Sequence, residues 1–410
     1  MSSSPSAAAA GLHDDSVVEL FHLHVGDSEH QEHEVGRVDT GVFVALPAEG
    51  VALVKWFAAG LPLRQVRRRF VETYGEPPDI TAFLGALAAC GFVRSVDGRP
   101  YPPDGPGAEG DSGSSRTRGV RIFADLPRER VAWLLSRPMR SSYQAVWAAV
   151  AVLLIVVPWL RPIPGDALLL PGVLTNAVVM AALGWVLVLF HEMAHAIAVR
   201  ALGCVGRLSL SHRLWFLVAQ TEMSGVRAVP RARRYAAYLA GMTWDLCVVF
   251  TCLCLQLAGL AEAVPRSLIY LLSLSMIFQL SVFMRTDMYF VVAERLRVGN
   301  LMRDTRRFLT ARARRTWGIH ARDDLSDIPR RELTIIGWYA PVYLVGTAAT
   351  LSLFALLTVP ATLTMLRIAA SGLFLGPKTA AFWEGVGFIA LVAAHGAAWT
   401  WSMVTERRRR

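Results

Sequence analysis

The 410-residue chain is poor in charged residues, which make up 18% of it, whereas soluble domains average about 25%. Cysteine is also scarce. The five cysteines never occur as C-x-x-C, so neither a disulfide framework nor a cysteine-rich zinc site is predicted. The N-terminal residues lack the basic region and long apolar core of a secretory signal peptide, so we expect none. Beyond residue 140, windows of about 19 residues with at most one charge recur, which excludes an ordinary soluble enzyme.

The formal net charge of +10 is unevenly distributed along the chain. Residues 1–120 hold 10 Arg and Lys against 16 Asp and Glu, a net charge of −6, and residues 121–410 hold 32 against 16, a net charge of +16. Because the N-terminal region is net negative, it is unsuited to a phosphate backbone, and nucleic acid is not an expected partner. The positive charge belongs to the apolar part of the chain.

The apolar part predicts a polytopic α-helical membrane protein with about six spans, at residues 143–160, 174–199, 235–258, 267–292, 333–358 and 381–404. Of the basic residues between the spans, 27 fall on one side of the predicted membrane and 4 on the other. By the positive-inside rule both termini are cytoplasmic. The interrupted apolar segment 359–380 is either an extracytoplasmic loop or a re-entrant segment, and the sequence leaves both open.

The N-terminal region predicts a small α+β domain at residues 16–96, after a disordered lead-in (1–15) and before a flexible linker (97–119). Apolar spacing within the domain predicts two strands, three helices and a final strand, at residues 17–25, 38–46, 48–59, 62–74, 78–89 and 92–96. This order predicts a winged-helix-like cytoplasmic domain attached to a membrane-embedded domain at residues 120–410.

The second predicted span ends with His191-Glu192-Met193-Ala194-His195, an H-E-x-x-H sequence on a helix. Two imidazoles four residues apart share one helix face and can bind one zinc ion, and the glutamate between them is placed to deprotonate a water on the metal. Histidine and glutamate inside an otherwise uncharged membrane helix are costly and are functional by default. The alternative is a polar cluster that packs helices together.

A catalytic zinc takes three protein ligands, so one more acid or imidazole is needed at the same depth. Asp287 lies eight residues before Arg295 in the fourth predicted span, as His191 lies nine before Arg200, which puts both about 12–14 Å inside the charged rim. Asp245 in the third span and His395 in the last span are competitors.

These residues resemble the site-2-protease class of intramembrane zinc metalloproteases, through the H-E-x-x-H sequence, Thr286-Asp287-Met288-Tyr289-Phe290 and Gly299-Asn300-Leu301. They are most similar to the peptide zinc metalloprotease branch, whose pattern is T-D-G-Y-(F/W). Met288 stands where that branch has glycine, which leaves the local backbone geometry open. The resemblance implies that one Zn²⁺ is held by His191, His195 and Asp287.

The same resemblance gives roles to neighbouring residues. Glu192 is the implied catalytic base. Asp245 either orients a ligand, pairs with Arg285 or serves only helix packing, and Arg285 either stabilises the oxyanion or pairs with an acid. Residues 205–210 and 215–221 are similar to the membrane-associated strand hairpin of the class, or form an ordinary basic loop.

The N-terminal domain resembles the PqqD-like recognition domain, through Phe43–Leu46, Ala48–Gly60, Val66–Phe70 and Phe83–Val93. Such domains bind the leader of a ribosomally synthesised, modified (RiPP) precursor peptide. The resemblance implies that residues 16–96 bind a precursor peptide. An inert regulatory domain is the alternative, and DNA binding is disfavoured by the negative charge.

Together the resemblances imply a zinc metalloendopeptidase in a bacterial cell membrane that removes the leader from a RiPP precursor, most similar to the intramembrane proteases of daptide-type biosynthesis. Its implied partners are the precursor, the lipid bilayer and other biosynthetic enzymes. Two alternatives stay open: a regulatory intramembrane protease acting on a membrane-anchored regulator, and a non-proteolytic peptide-binding or transport protein.

Overall fold

The computed structural model describes residues 13–29, 32–38, 40, 42–100, 120–213, 216–316, 325, 328–353, 355–356 and 359–409. The chain is mostly helical, with a small N-terminal region of sheet. It divides into two compact units, an N-terminal unit (1–134, 196–211 and 220–237) and a helical unit (135–195, 212–219 and 238–410). This division differs from the predicted domain boundary at residue 120, because residues 196–211 and 220–237 pack with the N-terminal residues.

The first part of the N-terminal unit combines short strands with three helices. These are β1 (Val18–Leu20), β2 (His24–Glu29), β3 (Glu32–Arg37), β4 (Val42–Pro47), α1 (Ala48–Ala58), α2 (Leu63–Tyr74), α3 (Ile80–Ala89), β5 (Val93–Val96) and β6 (Arg99–Pro100). The strands form two antiparallel sheets, β1-β5-β6 and β2-β3-β4. Apolar helix faces pack with them around a core that includes Val18, Val35, Phe57, Val66 and Phe92.

The three helices of this domain are confirmed to within two residues at each end. The predicted strand at 17–25 is two strands, β1 and β2, and β3 was not predicted. Glu32-His33-Glu34 at the start of β3 hides the apolar alternation that marks a strand.

The domain extends past the predicted boundary at residue 96. Asp97 accepts hydrogen bonds from the Val17 backbone N–H at 2.7 Å and from the Ser16 hydroxyl at 2.8 Å, which lower its pKa, and β6 follows it. The predicted lead-in up to residue 12 and residues 101–119 of the predicted linker lie outside the described residues.

A second sheet combines one strand from before the H-E-x-x-H helix with the two strands that follow it. Its strands are β7 (Val120–Ile122), β8 (Gly206–Arg213) and β9 (Phe216–Glu222), in that order across the sheet. The predicted strands at 205–210 and 215–221 are thereby confirmed. The helix that follows, α6 (Arg231–Tyr238), carries the buried Arg234, whose guanidinium lies 2.9 Å from the Glu34 carboxylate of β3. This ion pair joins the N-terminal sheet to the segment after the hairpin.

The remaining helices are α4 (Arg137–Val156), α5 (Val173–Ala201), α7 (Ala240–Leu257), α8 (Ala263–Gln279), α9 (Asp287–Leu296), α10 (Leu301–Thr316), α11 (Arg330–Leu353), α12 (Val359–Leu373) and α13 (Ala380–Arg409). Within the described ranges, five helices are long and apolar enough to cross a membrane: α4, α5, α7, α11 and residues 380–398 of α13. The apolar α8 is shorter, at 17 residues.

The fourth predicted span, 267–292, is not one continuous helix. Helix α8 ends at Gln279, and α9 begins at Asp287 after the extended residue Thr286. Backbone groups freed by such a break need partners in an apolar setting. The Tyr339 hydroxyl of α11 donates to the Val282 carbonyl oxygen at 2.7 Å, and the Gln279 side-chain oxygen accepts from the Asp287 N–H at 3.2 Å.

The segment 359–380, which the sequence left as a loop or re-entrant, contains a helix that packs against α13. Helix α12 has 15 residues. A helix of that length spans about 22 Å, less than the hydrocarbon core of about 30 Å. It therefore does not cross a bilayer by itself.

Candidate metal centre

Helix α5 carries the three residues of the H-E-x-x-H sequence near its C-terminal end. His191 and His195 are one turn apart and share one face, as the spacing predicts. His191, Glu192 and His195 are buried, with 4%, 9% and 1% of their surface exposed. Glu192 lies three residues before His195, so its side chain is a neighbour of that imidazole on the helix surface.

Asp287 completes a compact group with the two imidazoles. Its Oδ2 atom lies 3.1 Å from the Nε2 atoms of both His191 and His195, and the two Nε2 atoms are 3.2 Å apart. Among the described residues this is the one set of three His, Cys, Asp or Glu side chains whose ligand atoms all lie within 4.8 Å of one another. These three buried side chains could hold one metal ion.

The break between α8 and α9 is what brings Asp287 to the histidines. As the first residue of α9, Asp287 projects its carboxylate from a helix N-terminus, where negative charge is favoured. Met288, which stands at the glycine position of the T-D-G-Y-(F/W) pattern, is the second residue of this helix. Its φ angle is not positive, so the position does not require glycine. The sequence predicted that Asp287 lies with the two histidines, which the group of three side chains agrees with, but it did not predict the break.

Asp245 of α7 contacts the other edge of the His191 ring. Its Oδ2 atom lies 2.9 Å from His191 Nδ1. A carboxylate at that position accepts the Nδ1–H, which leaves the Nε2 lone pair directed towards Asp287 and His195. Asp245 therefore fixes the tautomer and orientation of His191 and is not one of the three grouped ligands.

Gln279 is a site residue that the sequence analysis missed. Its side-chain nitrogen lies 3.3 Å from His191 Nε2, and its oxygen accepts the Asp287 N–H. A polar amide in the middle of the apolar run 267–292 was the available signal. Gln279 thereby contacts both the start of α9 and the H-E-x-x-H helix α5 from the end of α8.

Gly241 of α7 leaves room for the two imidazole rings. A Cβ atom at this position would lie 2.4 Å from His191 Nε2 and 2.5 Å from His195 Nε2. Only glycine therefore allows α7 to approach the two ring nitrogens this closely. The same helix turn then delivers Asp245, four residues later, to the opposite edge of His191.

Two other residues named from the sequence lie elsewhere. Arg285 is exposed in the segment between α8 and α9, and within the described part of the chain no hydrogen bond or ion pair joins it to Asp245. The pairing of Arg285 with Asp245 therefore does not form. His395, the competing ligand in the last span, is exposed on α13 and is not part of the group.

No family model, curated protein or solved structure matches this chain. The assignment of the site therefore depends on its own geometry and chemistry.

We expect Gly241→Ala to lose metal binding, because the added methyl group displaces both ring nitrogens. The matched control is Gly184→Ala in α5, where an added Cβ meets no atom within 4 Å. Alanine improves helix propensity by about 1 kcal/mol at either position, so a loss confined to Gly241→Ala reports the contact with the rings. Zinc content of the purified proteins measures it, and equal zinc content in both variants would contradict this geometry.

We expect Asp245→Asn to weaken the affinity for a divalent metal ion about tenfold and Asp245→Ala about 100-fold, the range found when a partner that orients a ligand histidine is removed. Asparagine keeps an acceptor but loses the charge, and alanine loses both. Competition with a chromophoric chelator measures the affinity, with the exposed Asp125→Asn as control. A tenfold loss of metal affinity in Asp125→Asn as well would show that the effect comes from removing any negative charge, not from the contact with His191.

Proposed function

We propose that this chain is an intramembrane zinc metalloendopeptidase that cleaves the leader from a ribosomally synthesised precursor peptide. The observation that carries the proposal is the buried triangle of His191, His195 and Asp287 beside Glu192, in which both histidines and the glutamate belong to α5, a helix long and apolar enough to cross a membrane. Ionisable side chains in such surroundings are costly and are functional by default.

The donor set fits zinc. Ligand distances of about 2.0–2.1 Å in a tetrahedron place neighbouring donor atoms about 3.3–3.4 Å apart, close to the observed 3.1–3.2 Å. Two nitrogens and one carboxylate oxygen leave a fourth position free, as in catalytic zinc sites. Asp245 and Asp287 bring two carboxylates against two imidazoles, so a divalent cation would neutralise charge that the apolar surroundings disfavour.

The chemistry follows from the residues around that position. Bound zinc would act as a Lewis acid that polarises the scissile carbonyl and acidifies a water molecule. Glu192 accepts the proton of the attacking water and returns it to the leaving amine. Asp245 keeps the His191 ring in the orientation that turns Nε2 towards the site. Arg285 is exposed two residues before Asp287, and among the described residues no hydrogen bond or ion pair joins it to the three grouped side chains.

The substrate class comes from the N-terminal domain. Its two small sheets and three helices are compatible with a winged-helix-like, PqqD-like domain that binds a leader peptide. A recognition domain tethered to the protease raises the effective concentration of the precursor at the site. In this proposal the five long apolar helices and the broken α8–α9 segment make six spans, so both termini lie in the cytoplasm of a bacterial cell, and the domain and the precursor would share one compartment.

We expect Glu192→Gln to abolish cleavage of the precursor while zinc content stays at the wild-type level, because glutamine cannot accept the proton but does not alter the three ligands. Mass spectrometry of the candidate precursor after co-expression measures cleavage. Glu129→Gln, the same change at an exposed position, serves as control and should cleave normally. Cleavage that survives Glu192→Gln would refute the catalytic role.

We expect deletion of residues 1–100 to reduce kcat/KM for the full precursor about 100-fold or more. Without the tethered domain, the precursor is no longer held at a high effective concentration near the site. A short peptide that carries only the cleavage site should be cut at a similar rate by both proteins. That peptide separates lost recognition from lost folding. Unchanged binding of a labelled leader peptide by the deleted protein would contradict the role of this domain.

A further inference from the structure

Helix α10 presents a strongly basic face that the proposed chemistry does not use. The helix has six arginines and one acidic residue, Asp304. Asp304 is buried and lies within 4 Å of Arg303 and Arg307, at 3.4 and 3.9 Å. Its apolar residues Leu301 and Met302 pack with α9 and α11, and five of the six arginines, all except Arg307, are exposed.

The C-terminal end of α10 borders a cavity of about 350 Å³. It is lined by Phe308, Ala311, Arg312, Arg315, Thr316 and Leu325. Arg312 and Arg315 are exposed, and within the described residues their guanidinium groups have no hydrogen-bond acceptor and no acidic partner. Among the described residues, the cavity therefore combines two guanidinium groups that have no acidic partner with an apolar wall, and an anionic amphiphile requires both.

The contacts of α10 show which part of α11 lies nearest to this cavity. Near the start of α10, the Arg306 guanidinium donates to the Tyr343 hydroxyl at 2.9 Å, about midway along α11. At the other end, Leu325 lines the cavity only five residues before α11 begins at Arg330. The two helices thus run in opposite directions. The cavity lies near the N-terminal end of α11, an apolar helix long enough to cross a membrane.

We propose that this cavity binds the headgroup phosphate of an anionic phospholipid, with Arg312 and Arg315 as its ligands and Phe308 and Leu325 against the start of the acyl chains. Basic clusters next to a membrane helix attract anionic lipids. The apolar wall and the position at the N-terminal end of α11 favour a lipid over an acidic peptide. The inference does not depend on the proposed protease activity.

The test compares lipid binding by the full-length protein in detergent micelles, titrated with phosphatidylglycerol or phosphatidylcholine and measured by native mass spectrometry. We expect a clear preference of the wild type for phosphatidylglycerol. Since each arginine near a lipid surface contributes about fivefold, Arg312→Gln with Arg315→Gln should weaken phosphatidylglycerol binding about 25-fold. Arg67→Gln with Arg69→Gln, two exposed arginines of α2, is the matched control and should keep the preference.

The charge-preserving pair Arg312→Lys with Arg315→Lys should retain most of the preference, which separates loss of charge from loss of fold. Equal binding of the two lipids, or equal losses in the Arg312/Arg315 and Arg67/Arg69 variants, would overturn the proposal. Displacement of phosphatidylglycerol by inorganic phosphate or by a tetraglutamate peptide would also overturn it, and would assign the cavity to a free anion or an acidic peptide.

Discussion

The central constraint on this molecule is the burial of ionisable groups among apolar helices. Two imidazoles and three acids, Glu192, Asp245 and Asp287, lie in the interior of the helical unit. A buried polar group left without a partner costs about 1–3 kcal/mol, and more if it is charged. The helices around the site therefore have to be arranged so that nearly every one of these groups meets a complementary group.

Several features of the helical unit provide partners for these buried groups. The break between α8 and α9 turns Asp287 towards the two Nε2 atoms, and Asp245 takes the Nδ1–H of His191. The Gln279 amide covers the N–H that the break frees. One Asp245 oxygen, Oδ1, is buried without a hydrogen bond among the described residues.

The sequence predicted well the features that depend on local chemistry. The H-E-x-x-H spacing sets two imidazoles on one helix face wherever the helix lies, and the three helices of the N-terminal domain follow from apolar residues at helical spacing. The strand β3 was missed because its glutamates and histidine mask the period of two. The break after Gln279 was missed because an apolar run of that length predicts an uninterrupted span, and nothing local stops the helix there.

What the sequence determined by itself was the set of candidate donors and the apolar helices that carry them. Residue type fixes which atoms can bind a metal, and hydropathy fixes which helices can lie in a membrane. Only the tertiary structure decided between Asp287 and Asp245, because the sequence predicts a similar depth for both and the choice depends on which edge of the His191 ring each one reaches. It also identified Gln279 and Gly241. Their roles depend on contacts with residues far away in the chain, and no local spacing in the sequence predicts such contacts.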